Sequence, residues 1–381
     1  MGHLVTVVGG GPTGLNCALK IKEHGFDVGV IEEHKKIGEP VNCSGLVSKS
    51  GLIESGFYED DLIINRISGA RIFAPNNDCM EVRRHETVAV VLDRAKFDQF
   101  IEAKAKAKGV QIKYGTRVRS IRGKNLFLEA GHGELTKSDI IVGADGVNSC
   151  VRQAAGITIG RENFVHAIQR HAEGSFIPDM VEVHFGKFAP GYFAWVIPKS
   201  EKVAEIGIGA TLGTNINSAL EEFVARRGEM VDWLDKPSSF LIPCGPPLKS
   251  VAKDNLLLVG DAGMHTKATT GGGIIIGLKA AEICAQTVAS NIIHKTPLES
   301  FDKNLSEINK ELALHWKIRK YFNAQGDQKI NVLFEKLKKA GISRFLEEHG
   351  NMDYPSRFVG KAIANPRFWF LAPEFMKFRM A

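Results

Sequence analysis

The sequence contains no second GxGxxG, no CxxC or CxxxxC pair, no run of 18 uncharged apolar residues, no internal repeat and no low-complexity segment. Each absence removes a class. A two-nucleotide disulfide reductase needs paired nucleotide fingerprints and a redox dithiol, and neither is present. The best apolar candidate, 274–293, is interrupted by Lys279 and Glu282, so it reads as a buried amphipathic helix and not as a membrane span. The six cysteines, at positions 17, 43, 79, 150, 244 and 284, have no metal-ligand spacing. Reduced thiols are the simplest account, and they point to a cytoplasmic location. The N-terminal segment reads as a strand at once, so no secretory leader is expected.

With 381 residues, 44% hydrophobic and 24% charged, the chain can bury a large core and is too long for one simple layer. Glycine is in excess, with 39 residues where about 27 would be ordinary. Many backbone positions must therefore accept positive φ or a close approach. The net charge of +6 is unevenly placed, because residues 1–290 carry 33 basic and 33 acidic side chains and residues 291–381 carry 16 and 10. In that last quarter the basic residues alternate with aromatics such as Trp316, Phe358, Trp369, Phe375 and Phe378. Basic and aromatic side chains on helices suit peripheral contact with an anionic membrane surface, and a solvated helical face over core aromatics is the alternative. Nothing in the pattern points to nucleic acid.

Hydrophobic periodicity gives a strand at 4–8, a helix at 15–23 and a strand at 27–32, a βαβ opening. Asp93 reads as the N-cap of a helix to about Lys108, with strands following at 110–114 and 140–143. Between 163 and 212 the alternation changes to that of an antiparallel sheet. The α/β pattern returns at 256–259 and continues into a helix from about Gly273. Beyond Leu298 the pattern is helical, broken by Gly326, Gly341, Pro355 and Pro366.

Gly9, Gly11 and Gly14 follow the first strand, open the first helix, and precede Glu32 at the end of the second strand by 18 residues from Gly14. This is the dinucleotide fingerprint in its structural context. Gly9 serves the tight turn, Gly11 the approach of a pyrophosphate, and Gly14 the contact of helix and strand. Pro12 and Thr13 lie at the helix N-terminus, where unpaired N–H groups favour an anion. Glu32, with Glu33 beside it, can accept bonds from both ribose hydroxyls and would repel a 2′-phosphate. Far downstream, LLLVGDAG sets Gly260 and Asp261 at a strand end, where a carboxylate can bind ribityl hydroxyls. TTGGG then opens a helix at Gly271, Gly272, Gly273 and Ile274. Its amides can stabilise the negative charge of a reduced flavin, so the cofactor is read as FAD and not NAD.

Over residues 3–290 the sequence resembles the FAD-dependent enzymes built like aromatic hydroxylases and, within them, the geranylgeranyl reductase family. The wider group is matched by the fingerprint, by LDRAKFD with Arg94, by GADG with Asp145 and Gly146, and by Gly260 and Asp261. The narrower family is matched by PVNCSG, with Pro40, Cys43, Ser44 and Gly45, and by YFAWVIP, with Tyr192, Trp195 and Pro198. The resemblance implies a discontinuous Rossmann-type α/β domain at 1–68, 88–160 and 250–292. An α+β antiparallel-sheet substrate domain is implied at 69–87 and 161–249, followed by a C-terminal helical region at 293–381. The C-terminal 90 residues carry no motif of the family.

The implied activity is reduction of carbon–carbon double bonds in a geranylgeranyl chain on a lipid, with NAD(P)H or ferredoxin as electron donor. An isolated alkene is a poor electrophile, so a proton must arrive as the hydride does, in a site free of water. A buried thiol is a suitable neutral acid. Cys43 is therefore the first candidate at the flavin face, as proton donor or as a wall of the pocket. Tyr192 and Trp195 are candidates to line an isoprenoid tunnel; being three residues apart, they share a face only if a bulge or turn intervenes. His265, which departs from the family's pattern, is an alternative acid, and Lys267 could pair with the flavin or a substrate phosphate. Two other readings keep parts of this picture: a flavin-dependent monooxygenase or halogenase, suggested by FAWVIP, and a prenyl-binding protein without redox chemistry.

Overall fold

A computed structural model describes residues 3–129 and 135–371 of the chain; Phe375 and Phe378 lie outside the described residues. Its first sheet runs in the order Ala252–Lys253, Leu256–Leu258, Leu135–Gly143, His3–Val8, Val28–Ile31, Gln111–Lys113. The opening strand is parallel to both neighbours, with Val5 opposite Ile140 and Val28. Val28–Ile31 and Leu256–Leu258 are buried at every position. That burial is what a parallel sheet covered on both faces requires of its apolar strands. Helices Pro12–Glu23 and Ile274–His294 pack together, and Asn16 Nδ2 donates to the carbonyl of Leu278 at 3.0 Å. Helix Arg94–Ala107 begins, as read from the sequence, at an Asp93 cap that accepts from the Lys96 N–H at 3.1 Å.

The second sheet has eight strands, with Phe164–Glu173 between Val203–Thr211 and Ser238–Pro243. Ala194–Pro198 and Met180–His184 extend it in antiparallel fashion. Gly69–Phe73 then adds in parallel to Met180–His184, bringing Cys79–Arg83 to the edge. A three-stranded sheet of Leu46–Ser48, Ala89–Leu92 and Ile63–Ile67 stands beside these two.

Past His294 the described chain is helical: Ser300–Asn304, Ser306–Asn323, Asp327–Lys339, Ile342–His349 and Ser356–Ala364. Gly341 takes φ +76° before Ile342, and Pro355 precedes Ser356, so the sequence punctuation falls at real helix ends. The region is tied to the second sheet through Arg84, whose Nη2 donates to the carbonyls of Leu346 at 3.3 Å and Gly350 at 2.7 Å. Among the described residues no helix is long and apolar enough to cross a membrane.

Candidate active site

The three fingerprint glycines meet different surroundings. A Cβ on Gly9, at φ +102°, would stand 2.3 Å from the Ala144 carbonyl oxygen, and one on Gly14 would stand 2.1 Å from the Gly9 carbonyl oxygen. Those two serve the chain's own packing. A Cβ on Gly11 would meet nothing within 4 Å, and Gly11, Pro12 and Thr13 line a cavity of about 1020 Å³. The bare backbone at Gly11 therefore faces open space at a helix N-terminus, the setting a pyrophosphate needs. Buried Glu32 accepts the Gly10 N–H at 2.6 Å on one oxygen and the His34 N–H at 2.8 Å on the other, fixing its carboxylate beside the turn. Glu33 is paired with Arg117 at 3.4 Å, and neither Glu32 nor Glu33 is on the cavity wall.

The downstream motifs come to the same place. A Cβ on Gly260, at φ +62°, would lie 3.2 Å from Thr13 Oγ1, and one on Gly277 would lie 2.4 Å from it. The first helix is thus wedged between the two glycines. Asp261 lines the cavity and accepts from Thr266 Oγ1 at 3.0 Å. Burial raises its carboxyl above the usual range, and Thr266, Arg94 and Arg152 oppose the rise. Gly271, Gly272, Gly273 and Ile274 line the cavity beside it. Asp145 does not: its Oδ2 accepts the N–H groups of Cys150 and Val151 at 2.7 and 3.2 Å, at the start of the short helix Cys150–Ala154 that Ser149 caps, and Gly146 reaches the cavity instead.

Cys43 and Ser44 line the cavity, with Cys43 half-buried. Gly45, at φ +79°, packs where a Cβ would stand 2.4 Å from the Leu92 carbonyl oxygen, pinning the thiol turn to Ala89–Leu92. Arg94, also on the wall, donates to both oxygens of Asp98 at 2.9 and 3.1 Å and lies beside the Cys43 thiol. Burial alone would lower the guanidinium, but Cys43 and Asp98 carry it above its ordinary value. Its Nε is buried and without a partner among the described residues.

Tyr192 lies in a bend just before the strand Ala194–Pro198 that holds Trp195, and both residues reach the cavity. A Cβ on Gly271 would lie 2.4 Å from the Tyr192 hydroxyl, which places the phenol against the glycine loop. Burial first, and Cys244 second, hold that phenol well above its ordinary range against the opposing Arg319. Trp195 lies flat over Gly207 and edge-on to Phe193 at 6.0 Å. His265 is 1% exposed, has no hydrogen-bond partner for either ring nitrogen among the described residues, and is not on the cavity wall. Burial lowers it to about 4, so it is a neutral core residue at ordinary pH.

Lys267 does reach the cavity, but paired: its ammonium donates to Asp353 Oδ1 at 2.7 Å and to the Met352 carbonyl at 3.2 Å. Ser48 Oγ donates to the other oxygen of Asp353, and His315 joins Thr269 Oγ1 at 2.6 Å. Burial alone would raise the Asp353 carboxyl, and Lys267 and Ser48 hold it below its usual range. Sequence reasoning missed Asp353. The local signal was a turn, in which Asn351 Oδ1 accepts the N–H groups of Asp353 and Tyr354 at 3.0 and 2.8 Å, and nothing local connects that turn to Lys267. The wall also carries apolar side chains, among them Ile67, Val181, Phe193 and Ile242, with Leu346 and Phe358 from the C-terminal helices.

These residues fit FAD: an open glycine turn at a helix end, a buried carboxylate beside it, and an acid and glycine loop across one cavity. The FAD binding domain family matches residues 3–202. A digeranylgeranylglycerophospholipid reductase of Methanocella arvoryzae is 30% identical over 88% of this chain and 91% of its own length. One of Methanothrix thermoacetophila is 28% identical over 89% and 92%. A geranylgeranyl bacteriochlorophyll reductase-like protein from Thermoplasma acidophilum superposes with a TM-score of 0.87 over 99% of both chains at 23% identity. A flavin-dependent brominase gives 0.70 at 17% identity over 95% and 98%, a likeness of fold alone. The chain belongs to the geranylgeranyl reductase family of FAD-dependent oxidoreductases.

Proposed function

We propose that the protein reduces carbon–carbon double bonds in the geranylgeranyl chain of a lipid. One observation carries this reading: one cavity of about 1020 Å³ is lined both by the cofactor-binding elements and by apolar side chains of the second sheet, the three-stranded sheet and the C-terminal helices. The names of the curated relatives support the same substrate class. The bound flavin supplies the electron pair, itself renewed by NAD(P)H or ferredoxin. The helix end at Gly11–Gly14 receives the pyrophosphate, Glu32 the ribose and Asp261 the ribityl chain, with Arg94 and the loop Gly271–Ile274 completing the holder. Cys43 and Tyr192 stand on the wall, from which either can deliver a proton to the alkene carbon as its neighbour takes the hydride. Trp195 and Phe193 exclude water and orient the chain.

A membrane lipid has to reach this cavity, and the C-terminal helices offer the surface. Ile363, Trp369 and Phe370 are exposed, Trp369 by 61%, beside Arg357, Lys361 and Arg367. The neighbouring Phe358, on the same helix as Ile363, lines the cavity. This face docks on an anionic bilayer. The reading is tested by adding a geranylgeranyl lipid, without oxygen, to dithionite-bleached protein. The yellow colour returns with saturation of the chain in the extracted lipid; no reoxidation by any prenyl lipid overturns the proposal.

A further inference from the structure

We propose that Lys267 and Asp353 form a charge-balanced pair that sets the redox potential of the bound cofactor, with Asp353 as the positioning residue that holds the Lys267 ammonium at the glycine loop. The two side chains are 4% and 2% exposed and 2.7 Å apart, and both line the cavity with Gly271, Gly272 and Gly273. A Cβ on Gly272 would stand 3.0 Å from the ammonium nitrogen, so the missing side chain is what lets that charge come up against the loop. The groups facing the pair are accounted for. Ser48 donates to Asp353, the Met352 carbonyl accepts from Lys267, and Lys279 acts on Asp353 from further off. His315, whose Nε2 lies 3.4 Å from the Asp353 carbonyl, is lowered to about 4, chiefly by burial, and carries no charge at neutral pH.

In the native protein the ammonium and the carboxylate cancel at the cavity wall. Two-electron reduction of the cofactor adds negative charge in a space of low dielectric, where a single uncompensated charge acts strongly. Removing the carboxylate leaves a net cation on the wall and favours the reduced cofactor. Removing the ammonium leaves a net anion and favours the oxidised one. Opposite signs are the signature, since a merely structural pair would move both variants alike.

The test is the midpoint potential of the flavin in the holoprotein, measured without lipid by equilibration with a reference dye. Asp353→Asn is expected to favour the reduced form by about tenfold, a rise of about 30 mV for a two-electron couple. Lys267→Met is expected to fall by a similar amount, Lys267→Arg to stay at the native value, and the double variant Lys267→Met/Asp353→Asn to return to it. If Lys267→Met does not retain flavin, Lys267→Gln carries the same downward sign. Single variants that shift in the same direction, or variants that lose flavin affinity with no change in potential, overturn the assignment. Because the measurement uses no lipid, its failure leaves the substrate proposal standing.

Discussion

Replacing His265 with leucine gives the sharpest test of how the interior next to the cofactor loop is built. The imidazole is buried, with no partner for either nitrogen among the described residues, and burial lowers it to about 4 from an ordinary 6.5. A histidine lowered by folding binds protons more readily in the unfolded chain, so stability is full above about pH 6.5 and falls as the pH drops towards 4. At pH 5 the loss from this one residue is about 2 kcal/mol, approaching about 3 kcal/mol near pH 4. His315, lowered to about 4 chiefly by burial, adds a similar loss over the same window. In His265→Leu the first loss disappears, and the apolar replacement leaves no unsatisfied nitrogen, so stability at pH 7.5 is unchanged or higher. For a chain of this length, 2 kcal/mol corresponds to about 2–3 °C in Tm. Calorimetry at pH 7.5 and 5.0 should therefore show the pH-induced drop in Tm narrowed by that amount. Lipid reduction should persist, since His265 is off the cavity wall. A variant with the full native pH dependence, or one that keeps its flavin and loses lipid reduction, would refute the reasoning.

Gly11→Ala should leave Tm within about 2 °C, because a Cβ there meets nothing within 4 Å, yet weaken FAD at least tenfold by fluorescence titration. Gly14→Ala, whose Cβ would stand 2.1 Å from a carbonyl oxygen, should instead lower Tm by several degrees, about 3 kcal/mol of backbone displacement. Cys43→Ala should keep the flavin spectrum and reduce the single-turnover rate of lipid reduction about 10²-fold or more; an unchanged rate would remove the thiol from the chemistry. Sedimentation with anionic vesicles should carry the protein down at low ionic strength and release it at high salt, while Trp369→Ala/Phe370→Ala should stay in solution in both.

The α/β half of the fold was legible because its strands are continuous apolar runs and its helix starts carry glycine or Asp93, signals that a parallel sheet imposes locally. The thiol turn and Arg94 were read from the family resemblance and the glycine loop from its glycines, and all three line the cavity. Other features needed the folded chain. Asp145 in GADG accepts the Cys150 N–H with one oxygen, at a helix whose cap is Ser149, a local role that the motif does not announce. Glu33 is adjacent to Glu32, but in the bend that follows Val28–Ile31 it pairs with Arg117. His265 sits in a motif-rich stretch whose backbone turns it inward, where a Cβ on Gly263 would lie 2.9 Å from its ring. Asp353 was invisible because its value lies in a contact 86 positions away in sequence, to Lys267.

Thr13, seated between Gly260 and Gly277, has a consequence for the order of events during synthesis. The pyrophosphate turn at Gly11 is synthesised ahead of its counterpart across the cavity, which begins at Gly260, by about 250 residues. A nascent chain halted after residue 202 would display the whole fingerprint and still have no enclosed berth for the dinucleotide. Loading of the pigment must therefore be a late event, and a truncated product should come off the translation machinery colourless.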